Sequence, residues 1–401
     1  MQLTVLPALQ DRSEAQPAWL PALETGPRSI SAVQVLRISV TDRCNFRCVY
    51  CMPAEGVRWL PRDEILTFEE IADVVRAAID IHGIRRFKLT GGEPTVRHGI
   101  VELVGLIRQI PGVKDLSLTT NGFCLEDLAA PLKQAGLDRV TVSIDSLNPE
   151  KFRRITRTGQ LDKVMRGVKR AIDVGFENVK LNCVAMRGTN DDEFADFAAL
   201  SVQHPLTVRF IEYMPLGDAA VMHASPALGN LQPARGTPNA VVSTAGPRIA
   251  ADELGPAAGC GAQDRGADAL IPEGEIRAAI EAMHGPLTPI DRMHEAGVGP
   301  AVPYRIARGN PKGRLGFISA MSAPFCSTCN RLRLTANGVL RSCLFEGGEV
   351  DLKPILRALP DRAESQATRY DRIASAMTEC VRLKPEVHSR RGNEQMSRIG
   401  G

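Results

Sequence analysis

Two groups of three cysteines carry the chemistry available to this 401-residue chain. The first is Cys44-Asn45-Phe46-Arg47-Cys48-Val49-Tyr50-Cys51, a Cys-x3-Cys-x2-Cys spacing directly after an apolar run, 33–40, that reads as a strand. The second is Cys326-Ser327-Thr328-Cys329, followed after thirteen residues by Cys343. Thiolates this close together suit iron–sulfur clusters, which take four ligands. Each group supplies three, and the nearest histidine downstream of the first is His82. One iron of each cluster would therefore stay open to a small molecule. A zinc knuckle or a disulfide is the alternative for the first group, but zinc favours a closed tetrahedral set and three thiols cannot pair evenly. Zinc is the stronger rival at the second group, where a Cys-x2-Cys pair with a distant cysteine is a common zinc pattern.

Basic residues accompany the second group. Arg331 and Arg333 follow Cys329 one residue apart, and in an extended segment such residues share a face. Two guanidinium groups beside an open iron suit a phosphate or a polar purine edge, because arginine offers planar, forked donors.

The elements that must position these groups are short β-like runs alternating with amphipathic helical stretches, the pattern of parallel βα units. Strands are predicted over 35–40, 86–90, 115–119, 139–144, 178–184 and 206–213, with helices between them such as 68–82 and 191–202. Each strand has an apolar face, for example Leu36/Ile38 and Phe87/Leu89, and a polar one, Arg37/Ser39, Lys88/Thr90, Ser117/Thr119, Thr141/Ser143, Lys180/Asn182 and Thr207/Arg209. An ordinary eight-stranded barrel fills its interior with branched apolar side chains. Polar faces on six strands are costly to bury unless they meet a ligand or water. The pattern predicts an α/β fold, a hollow and partly open barrel whose lumen carries Arg37, Lys88, Lys180 and Arg209 and attracts a polyanion. The strand ends, where active sites sit in such folds, carry Gly91-Gly92-Glu93-Pro94, Thr119-Thr120-Asn121-Gly122, Ser143-Ile144-Asp145 and Glu212-Tyr213-Met214-Pro215.

Composition bounds the function. Hydrophobic content of 44% and charged content of 24% are those of an ordinary globular protein. A net charge of +3 gives no argument for a nucleic-acid partner. No run of eighteen apolar residues predicts a membrane span, and the N-terminus lacks the pattern of a secretory signal. Ten cysteines without an export signal point to a reducing compartment, hence a cytoplasmic location. Cys124, Cys183, Cys260 and Cys380 fall outside the two groups and read as buried or incidental thiols.

The first cysteine loop followed by a strand-end Gly-Gly-Glu-Pro resembles the radical S-adenosylmethionine (SAM) superfamily. The stretches LRISVTDRCNFRCVYCM, KLTGGEP, TTNG, VSIDSL, RFIEYMP and FCSTCNRLRLTANGVLRSCLF narrow the resemblance to one family, the GTP 3′,8-cyclases of molybdenum cofactor biosynthesis. The resemblance runs from about 37 to 214, resumes over about 272–357, and includes the terminal Gly400-Gly401. It implies a partial (β/α)6 radical SAM barrel with a C-terminal extension carrying a second iron–sulfur cluster. Cys44, Cys48 and Cys51 would hold the radical-generating 4Fe–4S cluster, and Tyr50, Gly92, Ser143 and Met214 would contact SAM. Arg37, Lys88, Thr119, Lys180, Arg209, Arg331 and Arg333 would contact GTP, and Cys326, Cys329 and Cys343 would hold a second 4Fe–4S cluster whose open iron takes the guanine.

The implied chemistry starts with one electron cleaving SAM to a 5′-deoxyadenosyl radical. That radical removes the 3′ hydrogen of GTP, and the ribose attacks carbon 8 of guanine. The implied partners are GTP, an external one-electron reductant, the downstream cyclic pyranopterin monophosphate synthase and a second copy in a homodimer. The expected layout is an extension over 1–30, the barrel over 31–216, a Gly/Ala/Pro-rich insert over 217–272 and a C-terminal domain over 273–401. Lys88 departs from the arginine usual in the family, keeping the charge and losing the fork. A radical SAM maturase of a peptide or another small molecule, and a non-enzymatic iron–sulfur or zinc sensor or scaffold, are the competing readings.

Overall fold

Alternation of apolar and polar residues builds six parallel strands, β1 (Val35–Ser39), β2 (Arg86–Thr90), β3 (Asp115–Thr120), β4 (Arg139–Ser143), β5 (Val179–Ala185) and β6 (Leu206–Glu212), side by side in chain order. The computed structural model describes residues 26–214, 216, 269–291, 299–309, 311–358, 366–388 and 396–399. Residues 1–25, 217–268 with Cys260, and Gly400-Gly401 lie outside the described residues. Helices α1 (Phe68–Asp80), α2 (Ile100–Arg108), α3 (Leu125–Gln134), α4 (Pro149–Thr156), α5 (Leu161–Asp173) and α6 (Phe194–Gln203) connect the strands. The helix predicted over 68–82 ends at Asp80, and the one predicted over 191–202 starts at Phe194. Thr67 fixes the start of α1 through a reciprocal capping pair with Glu70.

One face of each strand is closed. Leu36, Ile38, Phe87, Leu89, Leu116, Leu118, Val140, Val142 and Leu181 are 0% exposed. Between them Arg37, Lys88, Thr119, Ser143 and Lys180 stay half-buried, so the polar face of a central parallel sheet opens onto a space. Its curvature is visible at Thr141. Lys88 Nζ on β2 and Arg209 Nη2 on β6 both donate to the Thr141 hydroxyl on β4, at 3.2 and 3.5 Å. In a flat sheet β2 and β6 would stand about 19 Å apart, so side chains from both strands meeting at one oxygen report a surface curled inward.

The C-terminal extension joins the same sheet. β9 (Arg314–Ile318) pairs parallel with β6, and β10 (Arg331–Leu334) pairs parallel with β1. β8 (Val302–Ile306) and β7 (Leu287–Pro289) continue beyond β9, while β11 (Val339–Arg341) and β12 (Glu349–Asp351) continue beyond β10. The segment 319–330, with Cys326 and Cys329, therefore runs from one edge of the barrel to the other. Residues 269–272, which the sequence reading placed in the insert, take part in the fold. Ala269 O accepts from Arg187 N, and Ile271 is 2% exposed.

Side-chain contacts on both edges help to fasten the extension. Arg357 donates to Glu70 and to the Asp63 carbonyl, 2.8 and 2.7 Å, tying it to the α1 cap. On the other edge Phe210 of β6 meets Phe194 and Phe197 of α6 and stacks on Phe317 of β9, with centroids 5.4, 6.2 and 5.8 Å apart. Truncating Phe210 leaves a cavity among three rings. Phe210→Ala should lower stability by about 3–5 kcal/mol in chemical denaturation. A loss below about 1 kcal/mol would show that this cluster does not hold β9 to the barrel.

Candidate active site

The first cysteine loop is pinned by backbone rather than by metal ligands alone. Arg47 N and Val49 N donate to the carbonyls of Thr156 and Ile155 at the end of α4, both at 2.9 Å. Arg157, in the left-handed region at φ 62°, returns its guanidinium to the carbonyls of Arg47 and Met52. Phe46 sits edge-on between Phe123 and Phe152. This leaves Cys44, Cys48 and Cys51 half-buried and free of disulfides. Burial pushes the Cys44 thiol up to about 11 with Glu93 adding to it, and burial pushes Cys51 up to about 12 with Cys44 and Asp145 adding. Cys48 is also held well above its ordinary value by burial, then Asp145. Binding iron must therefore release protons from these thiols.

Gly91-Gly92-Glu93 packs against this loop. Gly92 N donates to Thr41 O and Glu93 N to Arg43 O, each at 2.8 Å. A Cβ at Gly92 would stand 2.4 Å from the carbonyl oxygens of Asp42 and Arg43. The glycine is needed for this approach of backbone to backbone, whatever else it contacts. Glu93, 1% exposed, accepts from Thr95 N, the Thr95 and Thr120 hydroxyls and Asn121 N. Asn121 Nδ2 in turn donates to Asn45 Oδ1 at 2.8 Å and approaches Cys44 Sγ at 4.0 Å. Tyr50 OH donates to Asp145 at 2.7 Å, and burial raises that carboxyl to about 6.

Cations gather on the lumen face. The register sets Arg37 beside Lys88 on one side and Arg333 on the other. Burial, then Arg333, Arg331 and Arg209, holds Arg37 well below its ordinary value. Burial, then Arg209, Arg37, Lys180 and Arg139, does the same to Lys88. Burial brings Arg209 down to about 10 and, with Arg331, Arg333 to about 9. Arg209 donates Nε to Asn182 Oδ1 at 2.9 Å. Among the described residues neither Lys88 nor Arg209 has a carboxylate partner; their acceptors are the neutral Thr141 and Asn182. Among the described residues the buried Thr119 hydroxyl oxygen has no hydrogen-bond partner.

The second triad borders this face. Arg331 Nη2 lies 3.8 Å from Cys329 Sγ and its guanidinium sits over Phe325. Burial pushes the Cys329 thiol up, but Arg331 and Lys384 outweigh it and hold the thiol below its ordinary value. Cys343 packs in a small apolar group of Leu216, Met321 and Phe345 that also takes in Met214 and Met396. Residues expected at SAM and at the second cluster therefore share one wall, which the C-terminal helix Met396–Ile399 also touches. Among the described residues no three His, Cys, Asp or Glu side chains converge on a single-ion position. Unbridged thiols in the 44–51 loop, at 326–329 and at Cys343 beyond β11 fit the donor chemistry of clusters.

A model of the radical SAM superfamily matches residues 38–200, and a model described as molybdenum cofactor synthesis C matches residues 257–390. The GTP 3′,8-cyclase of Pelotomaculum thermopropionicum is 44% identical over 92% of this chain and 98% of its own. Those of Desulforamulus reducens and Moorella thermoacetica, at 43% and 42%, cover the same shares. The chain belongs to the GTP 3′,8-cyclase family. Among solved structures, Streptococcus suis SuiB aligns with a TM-score of 0.50 at 10% identity, over 87% of this chain and 67% of that one, a likeness of fold.

In this GTP 3′,8-cyclase family member the supporting residues escaped the sequence reading. Glu93, Asn121 and Asp145 stand in motifs that had been singled out, yet their roles depend on which loop each one meets. Glu212 is another. Its carboxylate accepts from Met321 N and Ser322 N at 2.8 and 3.0 Å and from the Ser322 hydroxyl, tying the end of β6 to the segment leading to Cys326. Carboxylates and an amide at or just past a strand end are the signal that could have found these groups. Gly92→Ala should force the 41–43 backbone away and cost the first site its iron. After anaerobic reconstitution the variant should hold clearly less iron than wild type. A full complement would show that the close approach at Gly92 is dispensable.

Proposed function

We propose that this chain cyclises GTP to (8S)-3′,8-cyclo-7,8-dihydroguanosine 5′-triphosphate, the first step of molybdenum cofactor biosynthesis, within the lumen bounded by its two cysteine triads. The observation that carries the reading is the convergence of Lys88 and Arg209 on the neutral Thr141 hydroxyl, with no carboxylate partner for either among the described residues. A triphosphate supplies the missing negative charge. Lys88 and Arg209, already converging at Thr141, hold it with Arg37 and Lys180. The unsatisfied Thr119 hydroxyl and the Arg331–Arg333 pair on β10 orient the rest of the nucleotide beside Cys326, Cys329 and Cys343. Tyr50, Gly92, Ser143 and Met214 surround SAM next to Cys44, Cys48 and Cys51, with Asp145 fixing the Tyr50 hydroxyl.

When bound, a 4Fe–4S cluster at the first triad and SAM supply the electron and the hydrogen acceptor for the 3′ position of GTP. The side chains do the rest. They fix base, ribose and triphosphate together, since a reactive primary radical needs its target hydrogen in near-attack geometry. Cys326, Cys329 and Cys343 would hold a second 4Fe–4S cluster, which would supply a Lewis-acidic anchor for the base. An external one-electron donor, transfer of product to cyclic pyranopterin monophosphate synthase, a homodimer and a cytoplasmic setting complete the reading. No helix among the described residues is long and apolar enough to cross a membrane.

Anaerobically reconstituted protein given SAM, GTP and a reductant should form the cyclised nucleotide in step with 5′-deoxyadenosine. Arg331→Ala and Arg333→Ala should each weaken GTP binding about tenfold or more, since a hydrogen bond to a charged group contributes roughly 1.5–3 kcal/mol. Unchanged affinity in both would remove β10 from the substrate site. Deleting Gly400-Gly401 should leave both clusters in place and abolish product formation. Wild-type turnover by the truncated chain would make the tail irrelevant to catalysis.

A further inference from the structure

Lys384 lies outside every motif in the sequence, yet it is 3% exposed and sits against the second triad. Its Nζ donates to the carbonyls of Cys329 and Arg331, at 3.3 and 3.1 Å, and stands 3.9 Å from Cys329 Sγ. The backbone enforces this position. Lys384 N donates to Val381 O, and Arg28 Nε donates to the Lys384 carbonyl at 2.8 Å. The flanking residues press into the Gly347-Gly348 turn. A Cβ at Gly348 would stand 2.2 Å from Leu383 Cβ, and one at Gly347 would stand 2.7 Å from Pro385 Cδ.

A buried ammonium group is costly unless it is paired as well as hydrogen-bonded. Two carbonyls satisfy its protons without neutralising its charge. Among the described residues, the groups beside it able to do so are the thiols of Cys329, Cys343 and Cys380. Cys380 already spends its Sγ on the Gly348 carbonyl, 3.2 Å away. Arg331 reaches the same Cys329 sulfur, but from the lumen strand β10, whereas Lys384 comes from the C-terminal segment.

We propose that Lys384 is a positioning residue of the second iron–sulfur site, a buried fixed cation that holds the Cys329 backbone and offsets the charge of the Cys329 and Cys343 thiolates. The inference rests on the reading of that triad as a cluster site. Local charge and hydrogen bonds to sulfur govern how firmly a cluster is held and how easily it is reduced. Removing the cation should disfavour the reduced, more negative cluster.

The test isolates the second site in the full-length chain by replacing Cys44, Cys48 and Cys51 with alanine. Reconstituted anaerobically, that background should hold about four irons. Absence of iron there would refute the second cluster itself and leave Lys384 without a function. Adding Lys384→Met should either lose at least half of that iron or shift the midpoint potential of the remaining cluster to more negative values. Lys384→Arg should restore both toward the background. Lys384→Met in the chain with its first triad intact should still load the first cluster, which serves as the control for folding. A Lys384→Met variant with undiminished iron and an unshifted potential would overturn the proposal, as would loss of iron from both sites together.

Discussion

One threonine hydroxyl accepts hydrogen bonds from a lysine and an arginine at once, and the rest of the site depends on that arrangement. Lys88 and Arg209 meet at Thr141 although their strands are separated by three others. Like charges so close, shielded from bulk water, repel far more strongly than they would at the surface. The curl of the sheet brings these cations together, the extension adds Arg331 and Arg333 of β10 beside Arg37, and under the proposed function a polyanion would offset the repulsion on entering. A site that is destabilising when empty is a common trade of stability for function.

The two triads are set in opposite fields. Glu93 and Asp145 lie near the first and help to hold its thiols protonated. Arg331 and Lys384 lie near the second and favour its Cys329 thiolate. Anionic surroundings make a cluster harder to reduce and, once reduced, a stronger donor. That suits a site whose electron must break a sulfonium bond. Under the proposed function, cationic surroundings would suit a site that anchors an electron-rich base beside a triphosphate. The Glu212 carboxylate and the apolar group around Leu216, Met321 and Phe345 keep these two environments in fixed relation.

Much of this was legible in the sequence. Period-two alternation located all six barrel strands to within one or two residues, and the polar half of the pattern marked the face whose side chains stay half-buried. Arg37, Lys88, Lys180 and Arg209 could be assigned to one face because strand geometry leaves no other choice. What stayed hidden is non-local. Pairing of β9 with β6 and of β10 with β1 is decided by edge complementarity between segments more than a hundred residues apart. Gly92 could be identified as a site of close approach, but the approaching partner, the 42–43 backbone, could not. Lys384 carries no signal at all, since its meaning comes from two carbonyls and a sulfur supplied by another segment.

The central claim is that the lumen cations are held against their mutual repulsion for the sake of an anionic substrate, and Lys88→Met tests it most directly. Thermal melts of wild type and variant, with and without GTP and across a range of salt, separate the two roles of the charge. Without nucleotide the variant should melt at or above the wild-type temperature, because one repelling cation is gone. The GTP-dependent rise in melting temperature, present in wild type and shrinking with salt, should be largely lost. A variant that melts lower than wild type and keeps the full GTP-dependent rise would contradict the account.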